Sequence, residues 1–462
     1  MADRSDSLVF FGATGDLAYK KIFPSLQSMI LHGNLDMPVI GVAKAGWNLD
    51  KLKDRAKASL AEYGGGVNEE AFTKLCSRLR YVDGDYRDSS TYTQLRKEMG
   101  GAKRPIHYLA IPPSMFATVA EGLASSGCNQ GARIILEKPF GRDLASAKEL
   151  NATLHRFFDE CAIFRIDHYL GKEPVQNIIY SRFANTLWEP TWNRNYMDHV
   201  EITMAESFGV EGRGKFYEEA GAIRDVIQNH MLQLVSILSM EPPSGYNSEA
   251  MRDERAKILR MIRPLSPEDV VRGQFRGYRQ EAGVDPNSTV ETFAVTRFWI
   301  DSWRWSGVPF YVRVGKKMPV TCTEIRLEYK HPPQVVYPDP NPGEPNYVRI
   351  RLSPEVIVAV GSRRKLPGEP MVGTNNEMIA QYHPKNEMEP YERLLMDAMK
   401  GESTYFARQD GVEEAWRIID PILGNVVPVH IYEPGTWGPP QADELIAPHG
   451  NWSDTREEGI QT

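Results

Sequence analysis

Ser7-Leu8-Val9-Phe10-Phe11-Gly12-Ala13-Thr14-Gly15-Asp16-Leu17-Ala18 runs a short apolar segment straight into a glycine-rich turn. The segment predicts a strand over Ser7–Phe11, and the turn after it predicts the start of a helix. Backbone N–H groups and the helix dipole at such a junction cradle a pyrophosphate. The spacing is Gly-x-x-Gly-x-x-Ala, and the competing reading is a tight strand-to-helix turn in which glycine only supplies a positive φ. Position favours the cradle, because short β-branched or aromatic runs go on alternating with helical patterns downstream. Strands are expected at Val39–Ala43, Ile106–Ile111, Arg133–Leu136 and Ala162–Ile166. A helix is expected over Asp143–Phe158, where Leu150, Leu154 and Phe157 recur at helical spacing. Pro24 should kink or interrupt the first helix. The alternation predicts βαβ units and a parallel sheet covered on both faces, a Rossmann-like doubly wound α/β domain over residues 1–167.

From Val200 onward the texture changes. Phe293–Ile300, Phe310–Val314, Thr323–Tyr329, Tyr347–Leu352 and Val356–Val360 follow one another as strand candidates. In Thr323–Tyr329, Ile325, Leu327 and Tyr329 alternate with polar residues, as when one sheet face is buried and the other wetted. Residues 168–462 are therefore expected to form a larger α+β domain with a mostly antiparallel sheet. The six prolines of His331–Pro345 predict an irregular surface loop. A length of 462 residues fits this division, at roughly 150 residues per domain. With 54 Lys+Arg, 61 Asp+Glu, a net charge of −7 and 41% hydrophobic residues, the chain is not of a disordered class. No basic block points to nucleic acid or to a polybasic membrane anchor, and no apolar run approaches a membrane span. Met1-Ala2-Asp3-Arg4-Ser5-Asp6 lacks the basic-then-apolar pattern of a signal peptide. Cys76, Cys128, Cys161 and Cys322 are dispersed, without metal-type or redox-type spacing, so reduced thiols, no metal and a cytoplasmic location are expected.

Chemistry-bearing residues collect at the ends of predicted strands. Val39–Ala43 ends in Lys44, with no acid until Asp50. A 2′-phosphate wants a cation there and a bare ribose an acid, so Lys44 favours NADP; the bland alternative is a solvated surface lysine. Glu137-Lys138-Pro139-Phe140-Gly141 should lie at the carboxyl edge of the sheet, where Lys138 either bridges cofactor and substrate or pairs with a nearby acid. Arg165-Ile166-Asp167-His168-Tyr169-Leu170-Gly171-Lys172-Glu173 is the densest cluster. His168, Tyr169 and Lys172 can hold a phosphate by charge-assisted hydrogen bonds, a local positive pocket that a net-negative chain needs for an anionic substrate. Asp167 could orient an imidazole elsewhere. A third cluster runs Glu206-Ser207-Phe208-Gly209, then Arg224-Asp225-Val226-Ile227-Gln228-Asn229-His230, opening an amphipathic helix through Met231, Leu234, Val235 and Leu238. A nicotinamide oxidoreductase acting on an alcohol needs a general base, and spacing alone does not say which of the ten histidines it is.

Together these motifs resemble glucose-6-phosphate dehydrogenases of the bacterial type. The resemblance extends to Gly212-Arg213-Gly214, Tyr391-Glu392-Arg393-Leu394-Leu395, Glu414-Ala415-Trp416-Arg417 and Gly435-Thr436-Trp437-Gly438-Pro439. It runs in order from about Leu8 to Gly438. It implies oxidation of D-glucose 6-phosphate to 6-phospho-D-glucono-1,5-lactone, with hydride passing from sugar C1 to NADP, the first oxidative step of the pentose phosphate pathway. By the same resemblance His230 is the base and Asp167 its orienting carboxylate. His168, Tyr169 and Lys172 grip the phosphate, Glu206 and Asp225 bond the sugar hydroxyls, Lys316 binds substrate, and Lys138 contacts sugar and cofactor beside a cis Pro139. Gly12, Thr14, Gly15, Asp16, Leu17 and Lys44 hold the cofactor, with Asp85 and Tyr86 on its adenine or ribose side. Two departures stand out. Thr321 occupies a position where the family often has a basic residue, implying a higher KM for the sugar phosphate. Lys44 replaces a more usual arginine, a point charge instead of a bidentate fork, which allows dual use of NAD. A homodimer or dimer of dimers is implied. The rival readings are an oxidoreductase of similar build acting on an unphosphorylated sugar or inositol, and a catalytically silent sensor. The phosphate grip disfavours the first, and the retention of Asp167 and His230 disfavours the second.

Overall fold

The opening strand becomes the hub of a seven-stranded sheet. In the structure, a computed structural model that describes residues 4–334, 336–337, 343–382, 388–453 and 455, the chain forms two compact units. The first comprises Met1–Glu173, Pro243–Asp253 and Glu387–Glu413; the second comprises Pro174–Pro242, Glu254–Asn386 and Glu414–Thr462. The strands of the early chain are β1 (Ser7–Phe11), β2 (Val39–Ala43), β3 (Leu79–Asp83), β4 (Pro105–Leu109), β5 (Arg133–Leu136) and β6 (Ile163–Ile166). Those that follow are β7 (Met197–Ala205), β8 (Val270–Phe275), β9 (Phe293–Trp299), β10 (Pro309–Gly315) and β11 (Cys322–Tyr329). The last are β12 (Tyr347–Ser353), β13 (Val356–Lys365), β14 (Gly373–Tyr382), β15 (Phe406–Ala407) and β16 (Val429–Tyr432).

The first unit orders its sheet β3-β2-β1-β4-β5-β6, with β15 antiparallel on the β6 edge. Every other pairing is parallel. This is the doubly wound order, whose direction reverses between β1 and β4, and ligands bind at the carboxyl edge of such a switch point. All five residues of β1 are buried, as a strand covered by helices on both faces must be. The helices start where side chains cap them. Asn48 accepts from the Lys51 N–H ahead of Leu49–Tyr63, and Asp143 with Ser146 closes a capping box on Leu144–His155, inside the span expected from periodicity. Pro24 falls in the first turn of the helix Phe23–Leu31, directly after a π-wound turn at Ala18–Ile22; the backbone stays helical through Ile22 and Phe23, so the winding changes there without a break.

The second unit carries a nine-stranded sheet ordered β14-β13-β12-β11-β7-β10-β9-β8-β16. It is antiparallel except for β7 with β10 and β8 with β16. β13 runs past its expected end to Lys365 and pairs along its length with β14. β3, β7, β8, β14, β15 and β16 are not among the strands expected from sequence; in β14, Gly373-Thr374-Asn375-Asn376-Glu377 shows no apolar alternation. The loop expected over His331–Pro345 lies partly outside the described residues, and the described part takes no helix or strand. All four cysteines are free, and no helix among the described residues is long and apolar enough to cross a membrane.

Candidate active site

On the first unit, parallel pairing delivers the ends of β1, β4, β5 and β6 to one edge. β1 ends at Gly12, whose φ is +81° and whose added Cβ would lie 2.1 Å from the Ala110 carbonyl oxygen beyond β4. Only glycine fits, so the loop closes tightly onto the switch point. The Gly12 N–H donates to the Val42 carbonyl at 2.9 Å and to the Tyr86 hydroxyl oxygen at 3.0 Å, while the Tyr86 hydroxyl donates to Val42 at 3.2 Å. Gly15 and Asp16 stay exposed and Thr14 and Leu17 half-buried at the turn that opens the next helical segment. At the end of β2, exposed Lys44 is paired with Asp85 at 2.8 Å, and that pairing holds the Asp85 carboxyl below its ordinary range. The Lys44, Asp85 and Tyr86 singled out from sequence therefore stand together beside the glycine loop.

β5 ends at Glu137 and half-buried Lys138, and the Lys138–Pro139 peptide is cis. Glu137 is buried against the hydroxyls of Tyr108 and Tyr391, and burial pushes its carboxyl up to about 7. β6 ends in the dense cluster. Asp167 is buried, its carboxylate accepting the Tyr169 N–H at 3.0 Å. The Lys172 ammonium lies 4.1 Å from the centre of the Tyr169 ring, a cation–π contact that holds positive charge at this loop. His168 stacks on Tyr391 with ring centres 6.4 Å apart. Tyr391 thus joins the β5 and β6 ends, a role its sequence motif did not disclose. Arg165, the other base of the cluster, is structural: it is fully buried and spends its guanidinium on Glu160 and Asn151.

The second unit holds the remaining candidates. β7 and β10 are parallel neighbours with Ala205 opposite Gly315, so Glu206 and Lys316 leave the sheet together and form an ion pair of 2.5 Å. The Lys316 ammonium also lies 4.9 Å from the Phe208 ring centre and 5.7 Å from that of Tyr217. Thr321 accepts the Ser207 N–H at 2.9 Å and so shapes the loop next to Glu206. Asp225 and His230 sit on a nine-residue π-wound segment, Ile223–Met231, between the helices Gly214–Ala222 and Leu232–Ser239. His230 is buried, and its backbone N–H donates to the Asn229 side-chain oxygen at 2.6 Å. The Tyr217 hydroxyl is pushed up by burial and by the carboxylates of Asp225, Glu206 and Glu291, and its ring faces the Lys316 ammonium. No sequence signal marked Tyr217; it reads as one more core aromatic.

Residues 9–177 match the family model for the glucose-6-phosphate dehydrogenase NAD binding domain, and residues 179–453 that for the glucose-6-phosphate dehydrogenase C-terminal domain. The chain is 41% identical over 457 residues to glucose-6-phosphate 1-dehydrogenase 1 of Mycobacterium tuberculosis, covering 97% of this chain and 96% of that protein. It is 41% identical over 476 residues to the glucose-6-phosphate 1-dehydrogenase of Aggregatibacter actinomycetemcomitans, covering 96% of each. A crystal structure of the Mycobacterium avium glucose-6-phosphate 1-dehydrogenase superposes with a TM-score of 0.93 at 40% identity, over 99% of this chain and all (100%) of that one. A glucose-6-phosphate dehydrogenase in complex with its substrate glucose-6-phosphate superposes with a TM-score of 0.89 at 32% identity, over 98% of this chain and 100% of that one.

Proposed function

The chain belongs to the glucose-6-phosphate dehydrogenase family, and from that membership we propose that it oxidises D-glucose 6-phosphate to 6-phospho-D-glucono-1,5-lactone with NADP, accepting NAD as well, as the entry step of the pentose phosphate pathway. The observation that carries the reading is the loop after β6, where a buried Asp167 is followed by His168, Tyr169 and Lys172 at the ligand edge of a doubly wound sheet. A relative whose structure is in complex with glucose-6-phosphate shares this fold over 98% of this chain.

A dinucleotide would be held on the first unit by the glycine turn at the carboxyl edge of β1, where Gly15 and Asp16 stay exposed, and by Lys44 at the end of β2. A bound nicotinamide would supply the acceptor for the hydride of sugar C1. The protein does the rest. His168, Tyr169 and Lys172 hold the phosphate, and this remote binding energy fixes C1 for reaction. Glu206 and Asp225 bond the sugar hydroxyls, Lys316 binds the substrate, and Lys138 contacts both sugar and cofactor. The His230 imidazole removes the C1-hydroxyl proton, and the Asp167 carboxylate stabilises the imidazolium that results. Gly12, Thr14, Gly15, Asp16 and Leu17 cradle the cofactor phosphates. Lys44 must leave Asp85 to meet a 2′-phosphate, and this competition supports an NADP preference narrow enough to admit NAD.

The test is reduced-nicotinamide absorbance on mixing the protein with glucose 6-phosphate and either NADP⁺ or NAD⁺. His230→Asn is expected to lower kcat by roughly 10²–10⁴-fold. Lys44→Ala is expected to lower the NADP/NAD ratio of kcat/KM, and Thr321→Lys to lower KM for the sugar phosphate. No turnover of glucose 6-phosphate, with turnover of an unphosphorylated sugar instead, would overturn the assignment.

A further inference from the structure

Outside these clusters the second unit holds another group of titratable side chains that the proposed reaction leaves unused. β7 opens with a bulge: Glu328 faces His199 and Tyr329 faces Met197, leaving Asp198 as an extra residue. The bulge re-aims the Asp198 side chain, so that neighbours that would point to opposite faces of a regular strand meet. The Asp198 Oδ2 oxygen lies 2.9 Å from His199 Nδ1 and 2.7 Å from Nδ1 of His449, which comes 251 residues later from the turn Ala447–His449. These donor atoms all lie within 4.8 Å of one another.

We propose that Asp198, His199 and His449 form a binding site for a divalent cation of the zinc type, which pins the C-terminal segment to β7. Zinc takes imidazole nitrogen and carboxylate oxygen at about 2.0–2.2 Å, giving a tetrahedral edge of about 3.3 Å. Asp198 Oδ2 and the two imidazole nitrogens must open by about half an ångström to admit such an ion. Two imidazoles select zinc and its transition-metal neighbours over magnesium or calcium. The support behind the ligands is built as metal sites require. His199 Nε2 faces Glu201 Oε1 at 3.3 Å, and Glu201 is itself held by the Ser453 N–H at 3.0 Å and the Ser453 hydroxyl at 2.6 Å. A dication bound by neutral imidazoles would take the place of the proton that Asp198 and Glu201 favour on His199, and Glu328 already has Arg326 at 3.0 Å. His199 is buried, whereas Asp198 and His449 are part-exposed, which leaves an entry path and a position for water. The same C-terminal segment places Trp452 opposite Trp437 on the Arg313 guanidinium, each ring centre 4.3 Å away, so the cation would lock a clasp that packing already begins. Cysteine spacing gives no sign of such a site, because its ligands would be a carboxylate and two imidazoles, one of them 251 positions from Asp198.

The experiment titrates EDTA-stripped full-length protein with cobalt chloride and then zinc chloride. The expected result is one Co²⁺ per chain with the visible absorption of four-coordinate cobalt, its loss on adding zinc, and a rise in Tm with zinc. His449→Ala should abolish the cobalt spectrum and the zinc-dependent rise in Tm while leaving metal-free activity unchanged. Glu201→Gln should weaken binding roughly 10–100-fold. Absence of the spectrum in the unaltered protein, or equal cobalt affinity in His449→Ala, overturns the proposal. Because His449 is part-exposed, that variant decides the matter even where changes at His199 or Glu201 impair folding, with near-UV circular dichroism reporting on the fold.

Discussion

Glu137 shows how far a single residue can depart from its sequence reading. The pentapeptide Glu137–Gly141 drew attention through Lys138, yet the acid before it is the more perturbed group. Burial pushes its carboxyl up to about 7 against the hydroxyls of Tyr108 and Tyr391 and the Lys138 charge, which pull the other way. An unfolded glutamate titrates near 4.3, so between about pH 4.3 and 7 the folded chain holds a proton that the unfolded chain has lost. Stability is therefore full below that window and falls as pH rises through it, by on the order of 3 kcal/mol. Glu137→Gln is expected to flatten this slope. Urea midpoints from pH 4 to 8 measure it, and an unchanged slope would assign the titration elsewhere. Tyr108 lies 29 positions away in sequence and Tyr391 on a distant segment, which is why the pentapeptide alone could not disclose the environment.

At the scale of elements, the segment bearing Asp225 and His230 departs most from its expected form. Periodicity predicts one amphipathic α-helix opening at Arg224. Instead Gly214–Ala222 ends in Gly221 at φ +64°, Ile223–Met231 winds as a π-helix, and Leu232–Ser239 resumes the α form. A wider turn changes which side chains share a face, and π-winding of this kind is frequent at functional sites. Tertiary partners hold the junction. The Glu291 carbonyl accepts the Ala222 N–H at 3.0 Å, its carboxylate accepts the Ile223 N–H at 3.1 Å, and Arg272 anchors that carboxylate at 2.9 Å. A Cβ at Gly221 would sit 2.4 Å from Glu291 Oε1. Gly221→Ala is therefore expected to cost about 1–3 kcal/mol and to lower kcat at least tenfold by displacing the segment. Parallel measurement of kcat and the urea midpoint checks this; stability loss with kcat intact would separate the junction from catalysis.

The molecule as a whole is organised less linearly than its motifs. The first unit completes its core with residues from far down the chain: Leu394, Leu395, Ala398, Met399 and Phe406 are buried in the same cluster as Phe10. β15 extends the sheet at β6, and buried Arg252 donates to the Ser403 hydroxyl at 2.8 Å. A fragment of residues 1–173 should accordingly lack a cooperative unfolding transition, and Leu394→Ala in the full chain should cost about 2–5 kcal/mol. Circular dichroism melts test both; a fragment that unfolds cooperatively would mean the later segments only decorate a finished core.

Sequence alone determined the doubly wound class of the early βα units, the mostly antiparallel second sheet, the glycine loop and the family, whereas the strand order, with β3 beside β2, emerged only from the fold. Those features rest on local periodicity, on backbone demands such as the positive φ of Gly12, and on contiguous motifs such as Arg165–Glu173. Tertiary structure alone decided that Arg165 is a buried strut, that Lys44 pairs with Asp85, that Glu137 shares its burial with two tyrosines, and that His449 returns to Asp198. Each is a contact between residues with no shared local pattern. Burial and charge pairing depend on which side chains meet in space, and that is set by packing rather than by spacing along the chain.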